Sequence, residues 1–191
     1  LVLGGEVMSK IIDWKDRSTA VLFGDGAGGV LLGATEAEGS FLGEDIHSDG
    51  SRGDSLTASR REVSNFQLEK AAENDFLQME GRAIFDFAIR SVPESIRTVI
   101  EASNSSLEDI DRIIAHQANY RILKAIAKKL KIPVETFATN IAEYGNTSAA
   151  SIPILLDELL TNGDLVLGSK KKIVLTGFGG GLTWGSILIQ L

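Results

Sequence analysis

The sequence predicts an α/β fold of stacked layers, in which helices cover both faces of a mostly parallel sheet. Three observations predict it. Apolar runs of strand length alternate with helix-period segments along most of the chain. The runs are nearly continuous, as in Ile110–Ala115, the pattern of strands buried on both faces. Finally, "VLFGDGAGG" (Val21–Gly29) and "VLTGFGGGL" (Val174–Leu182) share the pattern V-L-x-G-x-G-x-G, and both lead from one apolar run into another. Such an internal echo predicts a duplicated fold.

Taken in order, Leu1–Leu3 and Ala20–Phe23 read as strands, and Gly29–Ala34 as a further apolar run. Residues 41–75, with "SDGSRGDS" and many charges, read as an exposed excursion. Phe76–Ala102 carries Phe85, Ala88, Ile89, Val92, Ile96 and Ile100 near a helical period, with Pro93 placed to kink it. Ile110–Ala115 is a short buried strand, and Tyr120–Lys131 a helix stopping before Pro133. Val134–Thr139 is strand-like. Ser148–Leu160 is a helix with Ile152, Leu155, Leu156 and Leu159 on one face, ended by Asn162-Gly163. Lys172–Thr176 and Leu182–Leu191 close the chain as strands.

The 191 residues suffice for a substantial core. A net charge of −7 argues against nucleic acid or an anionic membrane as partner. No apolar run approaches the ~20 residues a membrane helix needs. With no cysteine, a cytoplasmic protein is the default, and any thiol nucleophile must come from outside this chain. The start on "LVLGGEVMSK" reads as that of a fragment.

Gly24, Gly26 and Gly29 fit G-x-G-x-x-G, but "VLLGAT" follows them where a dinucleotide site needs a capped helix. The loop therefore reads as a join between two strands and not as a cofactor site. Phe178 is the one aromatic among the four glycines of "GFGGG", within "TGFGGGLTWG"; it reads equally as a core side chain or as a wall beside a pocket.

His116 ends a buried strand, where open α/β sheets place ligands. Asn146, in "EYGNTSAAS", precedes a helix and has capping as its plain explanation. Taken together they read differently. A neutral imidazole N–H and a carboxamide NH₂ converging on one point form an oxyanion hole, and they suit a metal poorly. From Tyr120 to Pro133 there are five basic residues, Arg121, Lys124, Lys128, Lys129 and Lys131, and no acidic ones. Ile122, Leu123, Ile126, Ala127 and Leu130 take the opposite face. A single-sign stripe on an acidic protein points to an anionic partner docking beside the site.

"HQANYRI", "EYGNTSAASIP", "GFGGGLTWGS" and "DRSTAVLFGDGAGGVLL" closely resemble the β-ketoacyl-acyl-carrier-protein synthase III family of bacterial fatty-acid synthesis. The resemblance implies a thiolase-like fold of α-β-α-β-α layers in two pseudo-duplicated halves. Residues 1–40 would end the first half, and residues 41–191 would form the second, with the polar excursion at about 44–75. It implies catalytic roles for His116 and Asn146, beside a cysteine carried upstream of Leu1. It implies carrier-protein contacts at Gln117, Ala118, Asn119, Tyr120 and Arg121, to which the basic face adds Lys124 and Lys128. Substrate contacts fall on Phe85, Asn119, Phe178 and Gly180; Asp86 departs from the basic residue often found there.

The implied enzyme is a cytoplasmic homodimer. It uses acyl-CoA and a malonyl group on the phosphopantetheine of acyl carrier protein as substrates, and no separate cofactor. The present chain would be an inactive portion of it. The same fold leaves open chalcone-synthase-like or hydroxymethylglutaryl-CoA-synthase-like enzymes, or a relative that binds acyl chains or carrier protein without catalysis.

Overall fold

Ile113 and Ile114 are neighbours on one strand and both fully buried, yet they pack into different cores. Strand side chains alternate between sheet faces, so this sheet is covered on both. The computed structural model describes residues 1–34, 40–58 and 76–191. Its main sheet has four strands: β3 (Phe41–Ser48), β6 (Arg112–Ala115), β7 (Lys172–Gly179) and β8 (Thr183–Gln190), in the order β3-β8-β7-β6. A two-stranded ribbon joins β1 (Val2–Glu6) to β2 (Gly26–Val30), and β4 (Leu56–Thr57) pairs with β5 (Gln78–Met79).

One face of the main sheet receives α1 (Gly81–Ala102) and α2 (Tyr120–Leu130). Val92, Ile96 and Val99 of α1 and Leu123 and Ile126 of α2 are fully buried there with Ile113, Val174 and Leu188. Each such side chain contributes about 1.5–3 kcal/mol by leaving water. The other face receives α4 (Ser151–Thr161), whose Leu155 and Leu156 meet Ile114 and Ile173. The β1–β2 ribbon lies on the far side of α4. Gly28 permits that approach, because a methyl there would stand 3.1 Å from the Ile154 backbone nitrogen. The described layers therefore run α, β, α, β, and short α3 (Ile141–Tyr144) leads into the loop before α4.

Several expected elements differ. Pairing in the main sheet is mostly antiparallel: only β6 and β7 run parallel, while β8 pairs antiparallel with both β7 and β3. The excursion predicted from residue 41 opens with β3, eight residues of edge strand whose Glu44, Asp45 and His47 concealed it. Charged side chains are usual on edge strands. Of the rest, residues 59–75 lie outside the described residues. Ala20–Phe23 is not a strand. Asp16 accepts hydrogen bonds from the Ser18 and Thr19 side chains, and the backbone closes in turns from Ala20 N–H to Asp16 and from Leu22 N–H to Thr19.

The glycine segment read as a loop instead supplies β2. Val134–Thr139 forms one turn of 3₁₀ helix and a single parallel bridge from Phe137 to Ile113. α1 begins only at Gly81 and continues through Pro93. A 3₁₀ turn over Ser148–Ala150 precedes α4. The helix ends at Asn162, with Gly163 at φ +80°, as its Asn-Gly pair predicted.

Candidate active site

His116 is placed by the parallel ladder. It follows the last residue of β6, and its backbone N–H donates to the Thr176 carbonyl of β7 at 2.8 Å. The ring then leaves the sheet's carboxyl edge and lies edge-on to Phe178, with centroids 5.3 Å apart. Its Nδ1 lies 2.7 Å from Ser151 Oγ. Burial pulls the His116 pKa down from 6.5 to about 4, against a smaller upward pull from the Ser148 backbone. The imidazole is therefore neutral near pH 7.

Asn146 is held by the turn segment that replaced the expected strand. Its N–H donates to the Leu22 carbonyl at 2.8 Å, its carbonyl accepts from Gly24 N–H at 2.9 Å, and it forms a parallel bridge with Phe23. Its side-chain Oδ1 accepts from Ser148 N–H at 2.9 Å. That bond fixes the amide, so the NH₂ group is the part left to act; among the described residues no hydrogen bond engages it.

Two adjoining cavities of about 410 and 510 Å³ share His116, Asn146, Phe178, Phe23 and Leu56 on their walls. The first continues past Gly180 and Ser151, and the second past Phe85, Ala118, Asn119 and Arg121 at the start of α2. The uncharged donors thus stand where a mostly apolar cleft meets the basic helix. Among the described residues, no group of three or more His, Asp or Glu side chains could hold a metal ion. Nor is any helix among them long and apolar enough to cross a membrane.

Most of the predicted site residues converge on this cleft or on its mouth. Arg121, Lys124 and Lys128 are exposed on α2, and Lys124 Nζ sits 4.7 Å over the Tyr120 ring. Asn119 caps that helix, its Oδ1 accepting from Arg121 N–H at 2.8 Å. Gln117 is the exception. It is 1% exposed and offers a docking partner no surface. Its amide donates to the Ala115 carbonyl at 2.7 Å, and its Oε1 accepts from Thr139 Oγ1 at 2.9 Å and Asn140 N–H at 3.3 Å. It ties the His116 strand to the segment leading to Asn146. Sequence reasoning also missed Ser151, which reads as an ordinary first-turn serine, and Phe23, which was read only as part of a strand.

A profile described as "3-Oxoacyl-[acyl-carrier-protein (ACP)] synthase III C terminal" matches residues 100–191, and one described as "3-Oxoacyl-[acyl-carrier-protein (ACP)] synthase III" matches residues 1–50. The chain belongs to the 3-oxoacyl-acyl-carrier-protein synthase III family. Within that family it is 56% identical over 191 residues to the β-ketoacyl-acyl-carrier-protein synthase III of Streptococcus equi subsp. zooepidemicus, covering 100% of this chain and 59% of that protein. It is 57% identical over 192 residues to the Streptococcus mutans protein of the same name, again covering 100% of this chain and 59% of the relative. The crystal structure of the Aquifex aeolicus synthase III superposes with a TM-score of 0.88 at 40% identity, covering 100% of this chain and 57% of that one. The chain thus spans about three-fifths of the length of the curated relatives it matches. The fold is the thiolase-like α/β fold of these synthases.

Proposed function

We propose that this chain supplies the decarboxylating half of a 3-ketoacyl-acyl-carrier-protein synthase that starts fatty-acid synthesis. The observation that carries the proposal is the pairing of a neutral His116 with an Asn146 amide whose NH₂ remains available, both on one apolar cleft. In the first step an acyl group passes from the sulfur of coenzyme A to a cysteine thiolate, releasing coenzyme A. This chain contains no cysteine, so that thiolate belongs to residues outside it. In the second step malonyl-carrier protein loses CO₂, and the electron pair of the broken C–C bond becomes an enolate. His116 Nε2–H and Asn146 Nδ2–H donate to the enolate oxygen. The enolate carbon then attacks the acyl-cysteine carbonyl and expels the thiolate.

The exposed Arg121, Lys124 and Lys128 of α2 receive the acidic carrier protein. The cleft between Phe85 and Asn119 admits its phosphopantetheine arm, while Phe178 and Gly180 line the reacting end. Leu3, Leu31 and Leu32, exposed by 72%, 82% and 70% on and beside the β1–β2 ribbon, suit cover by the remainder of a longer subunit within a cytoplasmic homodimer.

The test is made in the intact synthase. His116→Ala and Asn146→Ala are each expected to lower malonyl decarboxylation by about 10²–10³-fold, the usual worth of one oxyanion donor. Acyl transfer to cysteine is expected to fall less. Arg121→Glu is expected to weaken use of malonyl-carrier protein more than use of acyl-CoA, most of all at low salt. Normal decarboxylation by both alanine variants refutes the assignment and leaves a binding role without catalysis.

A further inference from the structure

An oxyanion donor must carry its hydrogen on the side facing the enolate. A neutral imidazole has only one N–H, so the atoms around Nδ1 decide whether Nε2 presents a hydrogen or a lone pair. The group at Nδ1 is Ser151 Oγ, at 2.7 Å. That hydroxyl has a single hydrogen and two possible acceptors, His116 Nδ1 and the Ser148 carbonyl at 2.8 Å.

Two further contacts leave the hydroxyl hydrogen free to turn to the ring. Gln117 N–H reaches Ser151 Oγ at 3.3 Å and occupies part of its acceptor capacity. The Ser148 carbonyl already accepts the backbone N–H of Ser151, so it is not left unpaired if the hydroxyl turns away. The imidazole nitrogen is the acceptor that needs the hydrogen. Ser148 itself holds φ +53°, an uncommon conformation for a residue with a side chain, and its N–H binds Asn146 Oδ1. One tight turn therefore sets the orientation of both proposed donors.

We propose that Ser151 is a positioning residue: its hydroxyl donates to His116 Nδ1 and so places the imidazole hydrogen on Nε2, facing the cleft. The inference rests on the decarboxylating role proposed above. Without the hydroxyl, the Ser148 backbone, which pulls the imidazole pKa upward, is left as the ring's polar neighbour on that side and favours a hydrogen on Nδ1. The ring then takes the Nδ1–H form, and Nε2 turns a lone pair toward the enolate oxygen. Ser151 lies at the start of α4 and is 2% exposed. Alanine there removes one oxygen and favours the helix.

The experiment uses intact synthase with ¹⁵N-labelled histidine. Nitrogen shifts of His116 near pH 7 are expected to give Nε2 protonated and Nδ1 bare in the parent enzyme and in Ser151→Thr, and the reverse in Ser151→Ala. Malonyl decarboxylation by Ser151→Ala is expected to fall about 10–100-fold, the usual cost of losing the group that orients a functional imidazole, and acyl transfer to fall less. A parent enzyme with the hydrogen on Nδ1, or a Ser151→Ala enzyme whose tautomer does not change, overturns the inference. Because the shifts are read without turnover, they stand apart from His116→Ala and Asn146→Ala, whose normal decarboxylation would instead refute the role beneath it.

Discussion

Val21–Gly29 and Val174–Leu182 carry the same V-L-x-G-x-G-x-G pattern and take different structures. The second forms β7, hydrogen-bonded to β6 on one edge and β8 on the other, and runs on into the turn before β8. The first has no such neighbours on both edges among the described residues. Its opening residues lie in turns touching Asn146 through one bridge, and its Gly26, Gly28 and Gly29 pair with β1. Val174 is 0% exposed and Val21 is 71% exposed. The glycines differ as well. A methyl on Gly24 would overlap the Tyr144 carbonyl oxygen, whereas one on Gly177 would meet Ile152 Cδ1 at an ordinary 3.8 Å. Equal patterns became a core strand in one place and a brace for a site residue in the other, because ladder partners and cover fix a strand more than its own residues do.

The sharpest test of that contrast is a buried charge. Val174→Asp is expected to cost more than about 4 kcal/mol, read as a collapse of the urea midpoint, because an unpaired carboxylate in this core has nothing to offset its lost hydration. Val21→Asp in the same chain is expected to stay within about 0.5 kcal/mol. A large loss at Val21 in intact synthase alone would mean that residues outside this sequence cover it.

The second test uses the imidazole that β7 buries. His116 has a folded pKa of about 4 against 6.5 for the free side chain, so the unfolded chain binds the extra proton between those values. Stability attributable to this group is complete above about pH 6.5. It declines as pH falls toward 4, by a total on the order of 3 kcal/mol. His116→Gln is expected to flatten this part of the pH–stability curve, and Phe178→Ala, by wetting the ring, to raise the pKa seen by NMR titration. An unshifted pKa in the parent protein would break the account of a ring held neutral by burial.

The smallest effect separates the two glycines. Gly24→Ala is expected to cost about 1–3 kcal/mol by pushing on the Tyr144–Asn146 backbone, while Gly177→Ala stays near zero in thermal melts. Equal costs would mean that both glycines serve the same purpose.

The sequence by itself determined a helix over Tyr120–Lys131, one residue longer than the observed Tyr120–Leu130, and one over Ser148–Leu160, of which Ser151 onward is α-helical, together with the buried strand ending at His116, the closing pair of strands and the basic stripe on α2. Apolar period, caps and charge are local properties of the chain, and they survived folding unchanged. The position of His116 after its strand was legible for the same reason; Asn146 precedes a helix as expected, but α3 and a 3₁₀ turn stand where a strand was expected before it. Tertiary structure alone decided that Ala20–Phe23 is a turned brace, that a charged stretch opens with strand β3, and that β8 runs antiparallel to its neighbours. It alone turned Gln117 inward and set Ser151 against His116. Those outcomes depend on hydrogen-bond partners many residues away, such as Ser151 Oγ at His116 Nδ1, and neither spacing nor composition encodes which distant group will arrive.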